Sequence, residues 1–248
     1  MNDQKRLFEM IKTGLIIVSL HSLTNCSQVS FPQKVSPHVT DIPLIKKKGD
    51  LRVDVGLSIF VPDTLMNNDE SNMEGTINVP SVQGSISYGI SNMLALQMSA
   101  NVSLETMYYL QTALGLFKGF ENKMVMEFYG GFGYGSSIIG GWLKTNTHYN
   151  HPYIQFNIGQ VDLGARHIDY GLGMKAGYIY ANILTDAHTY TFLNDRSLVM
   201  EPCIFFRFGR KKAKFNIKAN YLWTNCAVVD EYYRFTPFKL TMGINFSY

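Results

Sequence analysis

From Leu51 to Tyr248 apolar and polar residues alternate with a period of two, the repeat of a β-strand whose two faces meet different surroundings. The last segment is the clearest. Phe238, Leu240, Met242, Ile244, Phe246 and Tyr248 make one row, and Lys239, Thr241, Gly243, Asn245 and Ser247 make the other. The same alternation sets Leu94, Leu96, Met98, Ala100 and Val102 against Ala95, Gln97, Ser99 and Asn101, and Ile168 to Tyr178 against His167 to Gly177. Such segments fall near 51–62, 81–90, 93–104, 107–118, 122–136, 152–160, 165–182, 197–208, 212–224 and 236–248. Most reach the length that a tilted strand needs to cross a bilayer, whereas strands of soluble domains are commonly about five or six residues. No segment sustains a 3.6-residue apolar pattern. The predicted class is therefore all-β, a closed antiparallel up-and-down transmembrane β-barrel of about ten strands. Closure follows from the surroundings, because an open sheet edge in hydrocarbon leaves backbone donors and acceptors unsatisfied.

Composition agrees with strands. Fifteen Tyr, sixteen Phe and 21 Gly accompany a charged fraction of only 17%. After the N-terminus no apolar run is long enough for a membrane helix. The formal charge of +3, from 22 basic and 19 acidic residues, is too mild to imply a nucleic-acid partner. Short turns near Ser91-Asn92, Gly119-Phe120-Glu121, Asp162-Leu163-Gly164 and Arg210-Lys211-Lys212 alternate with longer stretches near 63–80, 137–151, 183–196 and 225–235. The connection at Leu104 to Thr106 is short on the long-loop side. Bacterial barrels alternate in this way, with short turns in the periplasm and long loops outside.

Before the barrel, Lys5, Arg6 and Lys12 precede the apolar run Gly14 to Leu20, which is the size of a signal-peptide core. Leu23-Thr24-Asn25-Cys26 resembles a bacterial lipobox, which would direct lipidation of Cys26; Asn25 departs from the usual Gly, Ala or Ser. The expected organisation is a signal peptide over 1–25, an irregular periplasmic tether over 26–50 and a barrel over 51–248. Cys203 and Cys226 are expected to be free thiols: a turn at Gly209 to Lys212 puts Cys203 opposite a residue near Ile217, and Cys226 then lies about 30 Å further on at strand rise.

The terminal strand from Lys239 to Tyr248 looks like the C-terminal assembly signal of outer-membrane barrels, with Met242, Ile244, Phe246 and Tyr248 as its outward row. With the lipobox, the entry Pro43 to Asp50 and the run Glu127 to Gly135, the chain resembles small barrel proteins of the Bacteroidetes outer membrane. The resemblance implies a bacterial outer-membrane location, with lipid and the barrel-assembly machinery as partners, and almost nothing about activity.

If the polar rows face the lumen, Arg52, Asp54, Glu127, Asp169, Lys175, Glu201, Arg207, Lys218 and Lys239 lie inside. Side chains fill an eight-stranded barrel, and one of about ten strands is little wider, so these charges are expected to pair into a salt-bridged lumen. Outward Tyr88, Phe208, Phe215 and Phe246 fall near one end of the strands, and Tyr134, Tyr178, Tyr180, Trp223 and Phe238 near the other, as in interfacial girdles. Enzymatic readings are thin. His167 and Asp169 share a strand face, and Ser58, Ser85 and Ser87 lie on inward rows, but a triad is recognised by geometry. His148, His151 and His188 could hold a metal if their loops converge. The run Gly130 to Gly135 lacks the G-K-[ST] end of a phosphate loop. The expectation is a non-enzymatic barrel without catalytic residues, metal or cofactor, with a structural or surface-interaction role. A narrow channel or small-solute binder is the alternative; a barrel hydrolase and a soluble lipid-binding barrel tethered by Cys26 are more distant ones.

Overall fold

The computed structural model describes residues 40–61, 80–103, 107–139, 145–165, 167–185, 192–224 and 238–248. Among these residues there is no helix. The strands are β1 (Leu51–Val61), β2 (Ser81–Gly89), β3 (Leu94–Ser103), β4 (Met107–Gly119), β5 (Met124–Ile139), β6 (Thr145–Leu163), β7 (Ile168–Thr185), β8 (Phe192–Arg210), β9 (Ala213–Tyr221), a two-residue continuation of β9 as β10 (Trp223–Thr224), and β11 (Phe238–Ser247).

Each strand pairs antiparallel with the next, β11 joins β9 on one side and β1 on the other, and the sheet closes into a ten-stave antiparallel barrel. At the seam Val53 faces Phe246 and Leu57 faces Met242 in register, and Leu51 and Tyr248 exchange backbone hydrogen bonds. The short turns after β2, β4, β6 and β8 and both of these residues lie at one end, here called the turn end; the other is the loop end. The wall is uneven: β6 and β8 each have 19 residues and β2 has 9. The predicted loops near 137–151 and 183–196 are correspondingly shorter, because β5 to β8 extend into them.

Two-residue alternation sorts the side chains as the strand geometry requires. The burial pattern of β2 is strictly alternating along its length apart from half-buried Gly84. Inward rows are buried and mainly polar, while outward rows expose large apolar side chains such as Leu57 (47%), Met98 (52%), Leu110 (53%), Leu172 (56%) and Ile204 (57%).

The turn Lys211-Lys212 is tighter than expected. It places Cys203 opposite Asn220, not Ile217, three residues from the predicted register. Cys226 lies outside the described residues. Cys203 is a buried free thiol.

Residues 40–46 do not join the sheet. They belong to the stretch read from sequence as a tether, and they are irregular in backbone, but Thr40, Asp41, Ile42, Leu44 and Ile45 are all buried within the barrel. At the turn end the segment is fastened to the wall before β1 begins. The Gly49 N–H donates to the Gly89 carbonyl at 2.8 Å, and the Gly89 N–H donates to the Asp50 carbonyl at 2.9 Å. Gly89 suits this approach, since a Cβ there would stand 2.5 Å from the Lys47 carbonyl oxygen.

Candidate functional site

The only concentration of chemistry among the described residues is the lumen. All nine of the charged residues assigned to it from sequence, Arg52, Asp54, Glu127, Asp169, Lys175, Glu201, Arg207, Lys218 and Lys239, are buried there. The structure divides them into layers.

In the turn-end layer, Asp54 of β1 accepts hydrogen bonds from Asn216 of β9 at 2.8 Å, Asn245 of β11 at 2.9 Å and Arg207 of β8 at 3.2 Å. Asp169 of β7 is 2.5 Å from Lys214 and 3.8 Å from Arg52. Lys214 also meets Asp162 at 2.8 Å, and Lys46 from the inserted segment meets the other Asp162 oxygen. Lys214 was passed over in the sequence, although it is four positions from Lys218 and so on the same face. A charge removed from water costs several kcal/mol unless it is paired and hydrogen-bonded, which explains why the layer is so heavily cross-linked.

The inserted segment fills the middle. The Asp41 carboxylate receives the Ser85 hydroxyl of β2 and lies 3.1 Å from the Lys218 ammonium of β9. Gln97 Nε2 of β3 and Gln155 Nε2 of β6 donate to the Asp41 backbone carbonyl at 2.9 and 2.6 Å. Arg207 donates through Nη2 to the Ile42 carbonyl at 2.6 Å, and its guanidinium lies 4.6 Å from the centre of the Phe205 ring. Glu127 accepts the Ile45 N–H at 2.7 Å, Asn157 at 2.9 Å and the Tyr129 hydroxyl at 3.3 Å. The segment's side chains are apolar anchors. Ile42 and Leu44 pack in a cluster with Val125, Val161, Cys203 and Phe205, and Ile45 in another with Ala95, Ala113, Phe117, Tyr129 and Tyr153. Inward glycines make the room: a Cβ on Gly173 would stand 2.6 Å from Ile42 Cδ1, and one on Gly159 would stand 2.8 Å from Leu44 Cδ1.

Towards the loop end the wall fills itself. Lys175 and Glu201 pair at 3.2 Å, Asn220 donates to Glu201 at 2.7 Å, and Lys175 sits 5.3 Å from the centre of the Tyr153 ring. Lys239 is buried beside Asn220 in register. The glycine run of β5 is what admits Tyr109, Tyr149 and Tyr153. A Cβ on Gly133 would stand 1.9 Å from the Tyr109 hydroxyl, one on Gly131 2.5 Å from Tyr153 Cζ, and one on Gly135 2.4 Å from Tyr149 Cε2.

The catalytic and metal alternatives weighed in the sequence do not assemble among the described residues. His167 lies in the turn before β7, not on the strand with Asp169, and its Nδ1 is 3.8 Å from Asp162. Ser85 gives its hydroxyl to Asp41, and Ser58 bonds Thr241 at 2.8 Å, so neither meets a histidine. His148 and His151 are on β6, not in a loop. They face opposite sides: His148 Nδ1 is 3.3 Å from the outward Tyr134 hydroxyl, and His151 Nδ1 is 2.8 Å from the inward Tyr109 hydroxyl. His188 and Cys26 lie outside the described residues. Outward Met242, Ile244 and Tyr248 are exposed, with Phe246 partly so.

The fold and this interior define a closed antiparallel barrel whose lumen holds buried ion pairs and a segment of its own chain. No protein-family model matches the chain, and no curated protein does.

Proposed function

We propose that the protein is a non-enzymatic barrel of a bacterial outer membrane, lipidated at Cys26, whose lumen is shut and whose role is structural or exercised through surface contacts. The observation that carries this reading is the sorting of the two faces. Outward rows of Val, Leu, Ile, Met and aromatic side chains lie about half exposed around the whole wall, while the charges are inside. In water so large a continuous apolar surface is a liability, and hydrocarbon removes it. Exposed Tyr88, Phe208 and Phe215 near the turn end, with Tyr134, Tyr178, Tyr180 and Trp223 toward the loop end, suit the two lipid interfaces. The lipobox supports lipidation, and the outward row Met242, Ile244, Phe246 and Tyr248 suits recognition by the barrel-assembly machinery.

The interior favours silence over conduction, since Asp41, Ile42, Leu44 and Ile45 occupy the middle of the lumen. Purified protein reconstituted into planar bilayers is expected to pass no steady current, and to float with liposomes through a density gradient. A stable ohmic conductance would replace this reading with a narrow channel. Protein lacking residues 1–26 that stays monomeric without detergent would remove the membrane assignment.

A further inference from the structure

We propose that the lumen wall around Asp41 is a binding site for a small carboxylate anion, held in this structure by the chain's own carboxylate. The first ground is convergence. Ser85, Gln97 and Lys218 stand on three different strands, and all three reach the Asp41 carboxylate: Ser85 Oγ on Oδ2, Gln97 Nε2 on Oδ2 at 3.5 Å, and Lys218 Nζ on Oδ1 at 3.1 Å. A hydroxyl, an amide and an ammonium aimed at one carboxyl group form a receptor for that group, whichever molecule carries it.

The second ground is charge. Among the described residues the strands bury six cations, Arg52, Lys175, Arg207, Lys214, Lys218 and Lys239, against four carboxylates, Asp54, Glu127, Asp169 and Glu201. Part-buried Asp162 of β6 answers one of the two surplus cations, Lys214, and Asp41, supplied by the chain before β1, stands 3.1 Å from Lys218. The wall alone is therefore a cationic chamber, and the segment is the anion that neutralises its centre. The third ground is spare donor capacity. Arg207 is fully buried beside Ile42, yet its Nε and Nη1 have no hydrogen-bond partner among the described residues. A guanidinium offers five donors, and the bonds to the Ile42 carbonyl and to Asp54 both use Nη2.

Asp41 is tethered, so it competes with free anions at a high effective concentration and excludes them while the segment is seated. A carboxylate solute binds where Asp41 is missing or withdrawn. This inference concerns the lumen only. It holds or fails in detergent micelles irrespective of the membrane reading, and of whether bilayers are silent.

The test is chemical rescue in the full chain. Asp41→Ala leaves a carboxylate-sized space in front of Ser85, Gln97 and Lys218. Refolding yield, read as the heat-modifiable folded band, and the apparent unfolding midpoint are measured in sodium formate and in sodium chloride of equal ionic strength. Formate is expected to raise both for Asp41→Ala, the midpoint by about 2–4 °C, and to leave the wild type unmoved. In Asp41→Ala combined with Lys218→Met the rescue disappears. Asp41→Asn, which fills the space without charge, gains nothing from formate. The proposal is overturned by equal behaviour in formate and chloride for Asp41→Ala, including failure to fold in both. Rescue that persists without Lys218, or that extends to Asp41→Asn, overturns it as well.

Discussion

From the turn end to the middle of the lumen the space between the walls is taken by Asp41 to Lys46, a segment from outside the sheet, while nearer the loop end it is taken by Tyr109, Tyr149 and Tyr153 from the wall itself. The two fillings use the same device, inward glycines that make room. At Gly159 and Gly173 the room goes to Leu44 and Ile42, and at Gly131, Gly133 and Gly135 it goes to tyrosines of the adjacent strands β4 and β6. They differ in what can leave. The tyrosines are bound to their strands, and moving them means moving the barrel. The segment is held by hydrogen bonds, ion pairs and apolar packing that lie along the six residues Asp41 to Lys46. One closure is part of the fold, and the other is a ligand that the fold carries.

The largest effect expected from this contrast belongs to Arg207, which joins the two systems. Its guanidinium touches both the Ile42 carbonyl and the Asp54 carboxylate, with no exposed surface. Arg207→Met keeps most of the side-chain length, leaves a buried carboxylate short of its cation, and takes the donor from a buried carbonyl. Removing one partner of a buried pair costs about 3–5 kcal/mol. Urea unfolding in detergent should show that loss. A loss under about 1 kcal/mol would mean that Asn216 and Asn245 alone satisfy Asp54, and that the segment is not coupled to the wall charges.

Second is the self-filled end. Gly133→Ala puts a methyl group onto the Tyr109 hydroxyl, which itself bonds His151. Overpacking of this kind costs about 1–3 kcal/mol. The contrast predicts that the cost falls on barrel stability and leaves formate rescue of Asp41→Ala unchanged. If the rescue changes as well, the two fillings are one mechanical unit.

Much of this was legible in the sequence because strand parity is unforgiving: the row containing Asn245 and Thr241 must also contain Lys239, and each of the nine charges counted as inward is buried in the lumen. Parity says nothing about chain that has no period. Asp41-Ile42-Pro43-Leu44-Ile45 reads as irregular, and it is irregular; only its surroundings make it interior. Two signals could have found it. One was the excess of inward bases over acids once Lys214 is included, and the other was inward glycines on β6 and β7 with no large partner on the neighbouring strand. Register was the weaker inference, since it depends on a turn length, and the two-residue turn at Lys211-Lys212 shifts Cys203 from Ile217 to Asn220.

The smallest effect should come at the mouth. Lys46 and Asp162 form a close pair that fastens the segment to the end of β6, yet the Lys46 side chain is 37% exposed. Water already solvates part of the ammonium, and Asp162 keeps Lys214 at 2.8 Å when Lys46 is gone. The segment also keeps its other fastening, because the Lys46 N–H, which no side-chain change removes, donates to Asp50 at 3.0 Å. An exposed pair contributes ~0–1 kcal/mol, and Lys46→Ala should fall in that range by urea unfolding. Its effect should also fade in high salt, which Arg207→Met should not do, because screening reaches the mouth and not the buried centre. A salt-independent loss as large as that of Arg207→Met would place the main fastening of the segment at the rim, and the middle of the lumen would then be a space the segment fills without being held there.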